Sequence, residues 1–189
     1  MMIMMKIAEL FFIKSSDKGN SFENSIRIAN YNFGESQIAV NQNEVFITWG
    51  GLHAKNINDI YFVQSYDNGT TFTDPYVIPE KITTAQSKNK ANFTEKIINH
   101  PTNVEIAHNN PSYIVWQERI SQENQDIFIA TNIKNDFQSS NIVNLSNNTS
   151  ISECPQITVS KNYVYVVWED ITPGNHEIFY TRGLIQQNR

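Results

Sequence analysis

The chain is 189 residues long, 40% hydrophobic and 17% charged, which suits one globular domain or a short repeat array and argues against a disordered chain. Fourteen Lys and Arg against 19 Asp and Glu leave a formal net charge of -5, so the basic footprint that a nucleic-acid duplex requires is missing. The single cysteine, Cys154, excludes an internal disulfide and any cysteine-based zinc cluster, and it is expected as a buried thiol.

In chain order, the apolar start 1–13 is broken by Lys6 and Glu9 and falls short of the roughly 18 apolar residues of a membrane span. It also lacks a basic start and a small-residue cleavage site, so it reads as structure and not as a leader. Strands are expected at 10–14 and 26–28, where β-branched and aromatic residues cluster between Asn, Gly and Ser turns. A first set of four follows at 37–40, 45–49, 60–64 and 76–78, and a second at 104–106, 113–116, 127–130 and 142–145. Three more are expected at 157–159, 164–168 and 178–181.

The order of elements repeats. Residues 9–22 lie over 59–72 without a gap, and the strands ending in Trp49, Trp116 and Trp168 are each preceded by a short strand, with Gln37, Asn103 and Gln156 in matching positions. An acidic residue opens the next strand each time: Asp59, Asp126 and Glu177. Four short antiparallel strands, called A to D, in about 50 residues describe a β-propeller blade. The chain is therefore expected to be all-β and an incomplete propeller: a half blade over 1–30, a blade over 36–79, an insertion over 80–101, a blade over 102–146 and an incomplete blade over 154–184. Unpaired strand edges at both ends predict self-association that completes the ring.

The segments Ser15-Ser-Asp17-Lys-Gly19-Asn-Ser-Phe22 and Ser65-Tyr-Asp67-Asn-Gly69-Thr-Thr-Phe72 both follow the pattern Ser-x-Asp-x-Gly-x-(Thr/Ser)-Phe, each between a C and a D strand. The pattern resembles the Asp-box, or bacterial neuraminidase repeat, of sialidase-like propellers. A degenerate copy over 132–137 keeps Asp136 and Phe137 but lacks the glycine. Turn chemistry explains the motif: the Asp accepts from backbone N–H groups of its own loop, the Gly supplies φ > 0 and the Phe tucks under the hairpin. Ser15, Asp17, Gly19, Phe22, Ser65, Asp67, Gly69 and Phe72 are accordingly expected as structural residues, with no metal at either loop.

The resemblance implies that ligands bind on the face shared by the B–C and D–A connections. On that face Glu118, Arg119, Glu169, Asp170 and His53 are the candidate ligand-binding residues, and the three tryptophans are expected between sheets. A sialidase would need three arginines around the sugar carboxylate, and the chain offers only Arg27, Arg119, Arg182 and Arg189. The family's Phe/Tyr-Arg-Ile-Pro signature is absent; Ser25-Ile26-Arg27-Ile28 is the nearest sequence. No catalytic residue, cofactor or metal is therefore expected, and no paired-His spacing occurs.

The reading that follows is a non-catalytic, sialidase-like propeller segment that binds a glycan or protein ligand. The alternatives are a fragment of an exo-sialidase-like glycoside hydrolase and a structural adhesion repeat of a larger surface protein. The resemblance implies an extracellular or cell-surface setting, and the sequons at Asn68, Asn92, Asn144, Asn147 and Asn148 would suit it.

Overall fold

The structure, a computed structural model, describes residues 9–29, 35–53, 57–78, 101–109, 111–132, 142–172 and 174–185, with the backbone alone at 51–53 and 57–58. The expected insertion over 80–101 and the degenerate loop at Asp136 fall, but for Pro101 and Asn132, outside the described residues. Thirteen strands and no helix are present among those described, so no helix there is long and apolar enough to cross a membrane.

Strands β1 (Leu10–Phe12) and β2 (Ile26–Ala29) pair alone. Strands β3 (Ser36–Asn41), β4 (Glu44–His53), β5 (Ile57–Ser65) and β6 (Tyr76–Val77) form an antiparallel sheet in sequence order. So do β7 (Thr102–His108), β8 (Ser112–Arg119), β9 (Gln125–Thr131) and β10 (Ile142–Asn144). The last sheet is β11 (Ser152–Val159), β12 (Tyr163–Asp170) and β13 (Glu177–Leu184). This is an incomplete β-propeller, with each expected strand present.

Period-2 alternation puts every second side chain of a strand on one face, and these sheets are apolar on both faces. The result is three seams. Leu10, Phe12, Ile28 and Ala29 pack on Val45, Ile47 and Trp49 of the next sheet. Phe46, Ile60 and Phe62 of that sheet meet Ile106, Ile114 and Trp116. Tyr113, Val115, Ile127 and Ile129 then meet Val164, Val166 and Trp168. Each fully buried side chain of this size stabilises by about 1.5–3 kcal/mol, so the seams outweigh any single polar contact.

The three tryptophans occupy equivalent seam positions and are all buried. Two have their indole N–H satisfied two residues downstream: Trp116 Nε1 donates to Glu118 at 3.1 Å and Trp168 Nε1 to Asp170 at 3.2 Å. In the first full sheet that position is Gly51, and Trp49 Nε1 has no partner among the described residues.

Four expectations are corrected. The B strands do not stop at the tryptophans; pairing continues through Glu118↔Asp126 and Asp170↔Glu177, so the expected loop carboxylates stand on strands. The match of Asn103 to Gln37 is displaced by two residues. Gln37 pairs with Thr48, Glu105 with Val115 and Gln156 with Val167, each opposite the residue before the tryptophan, because a bulge between Thr102 and Glu105 takes up the difference. Cys154 is exposed and not buried: it sits at φ 54 in the corresponding bulge between Glu153 and Gln156, which re-aims its side chain outward. Phe22 does not tuck under its hairpin and is 62% exposed, because no described sheet lies in front of β1 and β2 to cover it.

Candidate functional site

The equivalence of Gln37, Glu105 and Gln156 puts three polar side chains side by side on the A strands of successive sheets. Glu105 Oε1 accepts from Gln37 Nε2 at 3.2 Å and from Gln156 Nε2 at 3.0 Å, so one carboxylate ties three blades. Burial pushes the Glu105 carboxyl above its ordinary value, the Gln156 hydrogen bond pulls against that, and the charge of Glu35 adds to the rise.

The same neighbourhood is acidic. Exposed as it is, Cys154 has its thiol pushed up by partial desolvation and by the charges of Glu153, Glu169 and Glu35. Gln117 fixes the strand starts beneath it: Gln117 Oε1 accepts from Asn103 Nδ2 at 2.9 Å and from the Cys154 backbone N–H at 2.7 Å, joining the two bulges. Glu153, Glu169 and His176 each bring one donor atom within 4.8 Å of the others, with His176 Nδ1 at 3.7 Å from Glu169. Among the described residues this set has the geometry to hold a cation.

The residues singled out from sequence do not converge on one point. Glu118 lies with Trp116 toward the second seam, and Asp170 lies with Trp168 toward the third. Asp170 is buried and nearly saturated: it accepts from Trp168, from Ser152 Oγ at 2.8 Å, from Asn148 Nδ2 at 2.7 Å and from the Thr172 N–H at 2.8 Å. Those hydrogen bonds hold its carboxyl below the ordinary value despite burial. Glu169 faces the other way on β12, beside Ile178. Arg119 is exposed at the end of β8 opposite Gln125. His53 closes β4, and its side chain lies outside the described residues.

Sequence reasoning missed Glu105 and the two glutamines because the repeat was aligned through Asn103. It grouped Glu118 and Asp170 as ligand residues, although a spacing of two after a tryptophan puts an acid on the tryptophan's own face of a strand. It also passed over His108, whose Nε2 lies 3.0 Å from Glu44 and whose Nδ1 lies 2.7 Å from Ser112 Oγ, with the ring stacked on Phe46. A carboxylate only accepts, so Nε2 carries the proton and Ser112 donates to Nδ1. Burial pushes the His108 pKa down, against the pull of Glu44. This contact pins β7 to the start of β4, three residues along the strand from Glu105.

The Ser-x-Asp-x-Gly loops are built alike. Ser21 N and Oγ donate to the two Asp17 carboxylate oxygens at 2.8 and 2.7 Å, and Thr71 N and Oγ1 donate to those of Asp67 at 2.8 and 2.6 Å. Gly19 and Gly69 sit at φ 87 and φ 75 and donate to Ser15 and Ser65 at 2.8 Å. Each carboxylate is occupied within its own turn.

No protein-family model matches the chain, and no curated protein matches it. Among solved structures it is similar to the K499G mutant of NanB sialidase from Streptococcus pneumoniae, at 13% identity and a TM-score of 0.50 over 87% of this chain and 24% of that one. It also aligns with a xylan β-1,4-xylosidase from Bacillus halodurans at 11% identity and a TM-score of 0.46, over 84% of this chain and 33% of that one. A GH43 endo-arabinanase from Bacillus licheniformis aligns at 13% identity and a TM-score of 0.36, over 80% of this chain and 73% of that one. The chain spans about a quarter of the sialidase's length, and the similarity to it shows a β-propeller fold.

Proposed function

We propose that the chain is a sialidase-like propeller segment that binds a glycan without hydrolysing it, around the Glu105 row on the A strands. In this reading the two Ser-x-Asp-x-Gly loops are Asp-boxes that brace the half blade over 1–30 and the blade over 36–79, and the blade over 102–146 and the incomplete blade over 154–184 follow them. The observation that carries it is the division of labour among the carboxylates: Asp170 and Glu118 satisfy indole N–H groups, whereas Glu105 is shared by two amide donors on the A strands β3 and β11. Amides and carboxylates in a row suit sugar hydroxyls. The concentration of Glu35, Glu105, Glu153 and Glu169 repels a carboxylate on the ligand, so the reading favours neutral over sialylated glycans. A protein ligand, self-association through open sheet faces and a cell-surface setting belong to the same proposal, with Arg119 and His53 as peripheral contacts.

Glu105 also favours a second reading, a glycoside hydrolase, because a carboxyl raised by burial is what a general acid needs. A glycan array separates the two. Binding of neutral glycans that Glu105→Gln abolishes, with no release of fluorophore from aryl glycosides, is expected. Turnover lost in Glu105→Ala would replace the binding reading with the hydrolase, and silence on both assays would leave a structural repeat.

A further inference from the structure

Three donor atoms meet at one end of the last sheet, and the strand register explains why. Glu153 and Glu169 stand directly opposite each other on β11 and β12, and Glu169 is in turn opposite Ile178 on β13. Side chains two apart along a strand share a face, so His176, two residues before Ile178, comes to the side of the two acids. One donor atom from each of the three lies within 4.8 Å of the others, with His176 Nδ1 at 3.7 Å from Glu169 Oε2. The loop that carries His176 is tied down along its length. Ile171 N–H donates to Ile151 O at 3.1 Å, Thr172 N–H to Asp170 Oδ1 at 2.8 Å, and Gly174 N–H, at φ 94, to Ile171 O at 2.9 Å.

Two carboxylates directly opposite on neighbouring strands repel each other and destabilise the pairing. The fold does not require them there. In the preceding sheet the same two positions hold Thr102 and Gln117, a neutral pair joined by a hydrogen bond from Gln117 Nε2 to Thr102 Oγ1 at 3.0 Å. Glu153 and Glu169 can make no such bond, since both only accept when ionised. Among the described residues no lysine or arginine is paired with either, and the His176 imidazole is the one nitrogen brought to them. The last sheet thus replaces a self-satisfied pair by three donor atoms aimed at a common point.

We propose that Glu153, Glu169 and His176 form a binding site for a divalent transition-metal ion of the zinc class, each giving one ligand atom. Such an ion takes imidazole nitrogen together with carboxylate oxygen at about 2.0–2.2 Å, so two ligands at a tetrahedral angle stand about 3.4 Å apart. The 3.7 Å between Nδ1 and Oε2 is close to that spacing, and rotation of the exposed His176 ring closes the difference. A hard ion such as Ca²⁺ takes roughly six to eight oxygens, more than this set offers, and gains little from an imidazole. Three protein ligands leave a fourth position for water or for an oxygen of a bound molecule. The ion neutralises the opposed acids and joins β11, β12 and the loop before β13. The site is complete within residues 153–176 and stands independently of the glycan reading.

Isothermal titration calorimetry of the metal-stripped chain with Zn²⁺ tests the site, with thermal melts as a second readout. Wild type is expected to bind one Zn²⁺ per chain and to melt higher as Zn²⁺ is added, because the ion binds the folded state. His176→Ala and Glu169→Gln are each expected to weaken binding by about tenfold or more, a loss that even an outer-sphere partner can carry. Glu153→Gln separates ligation from a structural role: without metal it should melt no lower than wild type, since the repulsion is gone, and its melt should no longer respond to Zn²⁺. Cys154→Ser is expected to bind as wild type does, and Mg²⁺ and Ca²⁺ to give neither heat nor a shift. Circular dichroism checks that each variant is folded, and His176→Ser replaces His176→Ala if that one is not. A wild type that binds no Zn²⁺, binding that persists undiminished in folded His176 and Glu169 variants, a Glu153→Gln melt that still responds, binding lost in Cys154→Ser, or Ca²⁺ bound as tightly as Zn²⁺ would each overturn it.

Discussion

The loops over 15–22 and 65–72 share their hydrogen bonds almost to the tenth of an ångström and differ in what lies on top of them. Gly69 is buried under the Phe12 ring of the preceding sheet, and Phe72 meets that ring edge-on at 5.1 Å. Gly19 has nothing within 4 Å of where a Cβ would sit, and Phe22 is largely exposed. The hydrogen-bonded turn is therefore a local product of eight residues, whereas its contribution to the fold is set by the neighbouring blade. The same motif closes a turn in one place and clamps a seam in the other.

The largest effect should separate the two glycines. A Cβ on Gly69 would stand 2.6 Å from Phe12 Cε1 at φ 75, so Gly69→Val combines left-handed strain with overpacking and should cost roughly 2–5 kcal/mol. Gly19→Val carries the strain alone, about 1–2 kcal/mol. Urea midpoints measure both, and equal losses would show that the Phe12 lid does not distinguish the loops. Next in size, Phe12→Ala should cost about 1–3 kcal/mol and make Gly69→Ala cheaper in its background, with a coupling of roughly 1–2 kcal/mol in a double-mutant cycle. Additive losses would break the comparison.

The fold was legible for the reason that the loops match: turn chemistry and period-2 alternation are local, so each strand could be placed from residues such as Val164 to Trp168 and the Asn and Gly turns around them. The site was less legible because it depends on bulges. Asn103 and Cys154 take positive φ, and each shifts the register of its A strand by a step that no periodicity reports. Glu105 was thereby hidden behind Asn103, and Cys154 was turned outward. Phe22 failed for a third reason, since a motif states what a residue could cover and not whether another sheet is there to receive it.

A smaller effect concerns the carboxylates, which should behave alike if the turns are locally made. Hydrogen bonds from Ser21 and Ser15 hold Asp17 at about 2, and those from Thr71 and Ser65 hold Asp67 further below the ordinary 3.8. A depressed folded-state pKa means stability that is present above 3.8 and lost as the pH falls through the folded value. Asp17→Asn and Asp67→Asn should each lower the melting temperature near neutrality, and the gap from wild type should narrow toward pH 2, later for Asp67. A gap at Asp67 that is already closed at pH 4 would mean that its turn is not held by the ionised carboxylate.

The smallest effect is expected at Lys14, the polar thread between the two loops. Its Nζ donates to Asn68 O and to Thr70 Oγ1, both at 3.2 Å, and lies 3.7 Å from Glu23 Oε2. The residue 50 positions on is Gln64, so the first loop reaches the second while no equivalent lysine reaches from the second. Lys14→Met keeps the aliphatic stem against the seam and removes only the ammonium. An exposed contact of this kind stabilises by less than about 1 kcal/mol, with the Glu23 share screened by salt and the carbonyl share persisting. Urea unfolding at low and high salt should therefore show a small loss that shrinks but does not vanish. A loss larger than that of Phe12→Ala would mean that the seam over Gly69 is held by the polar thread and not by the ring, and the contrast between the two loops would then rest on one ammonium group.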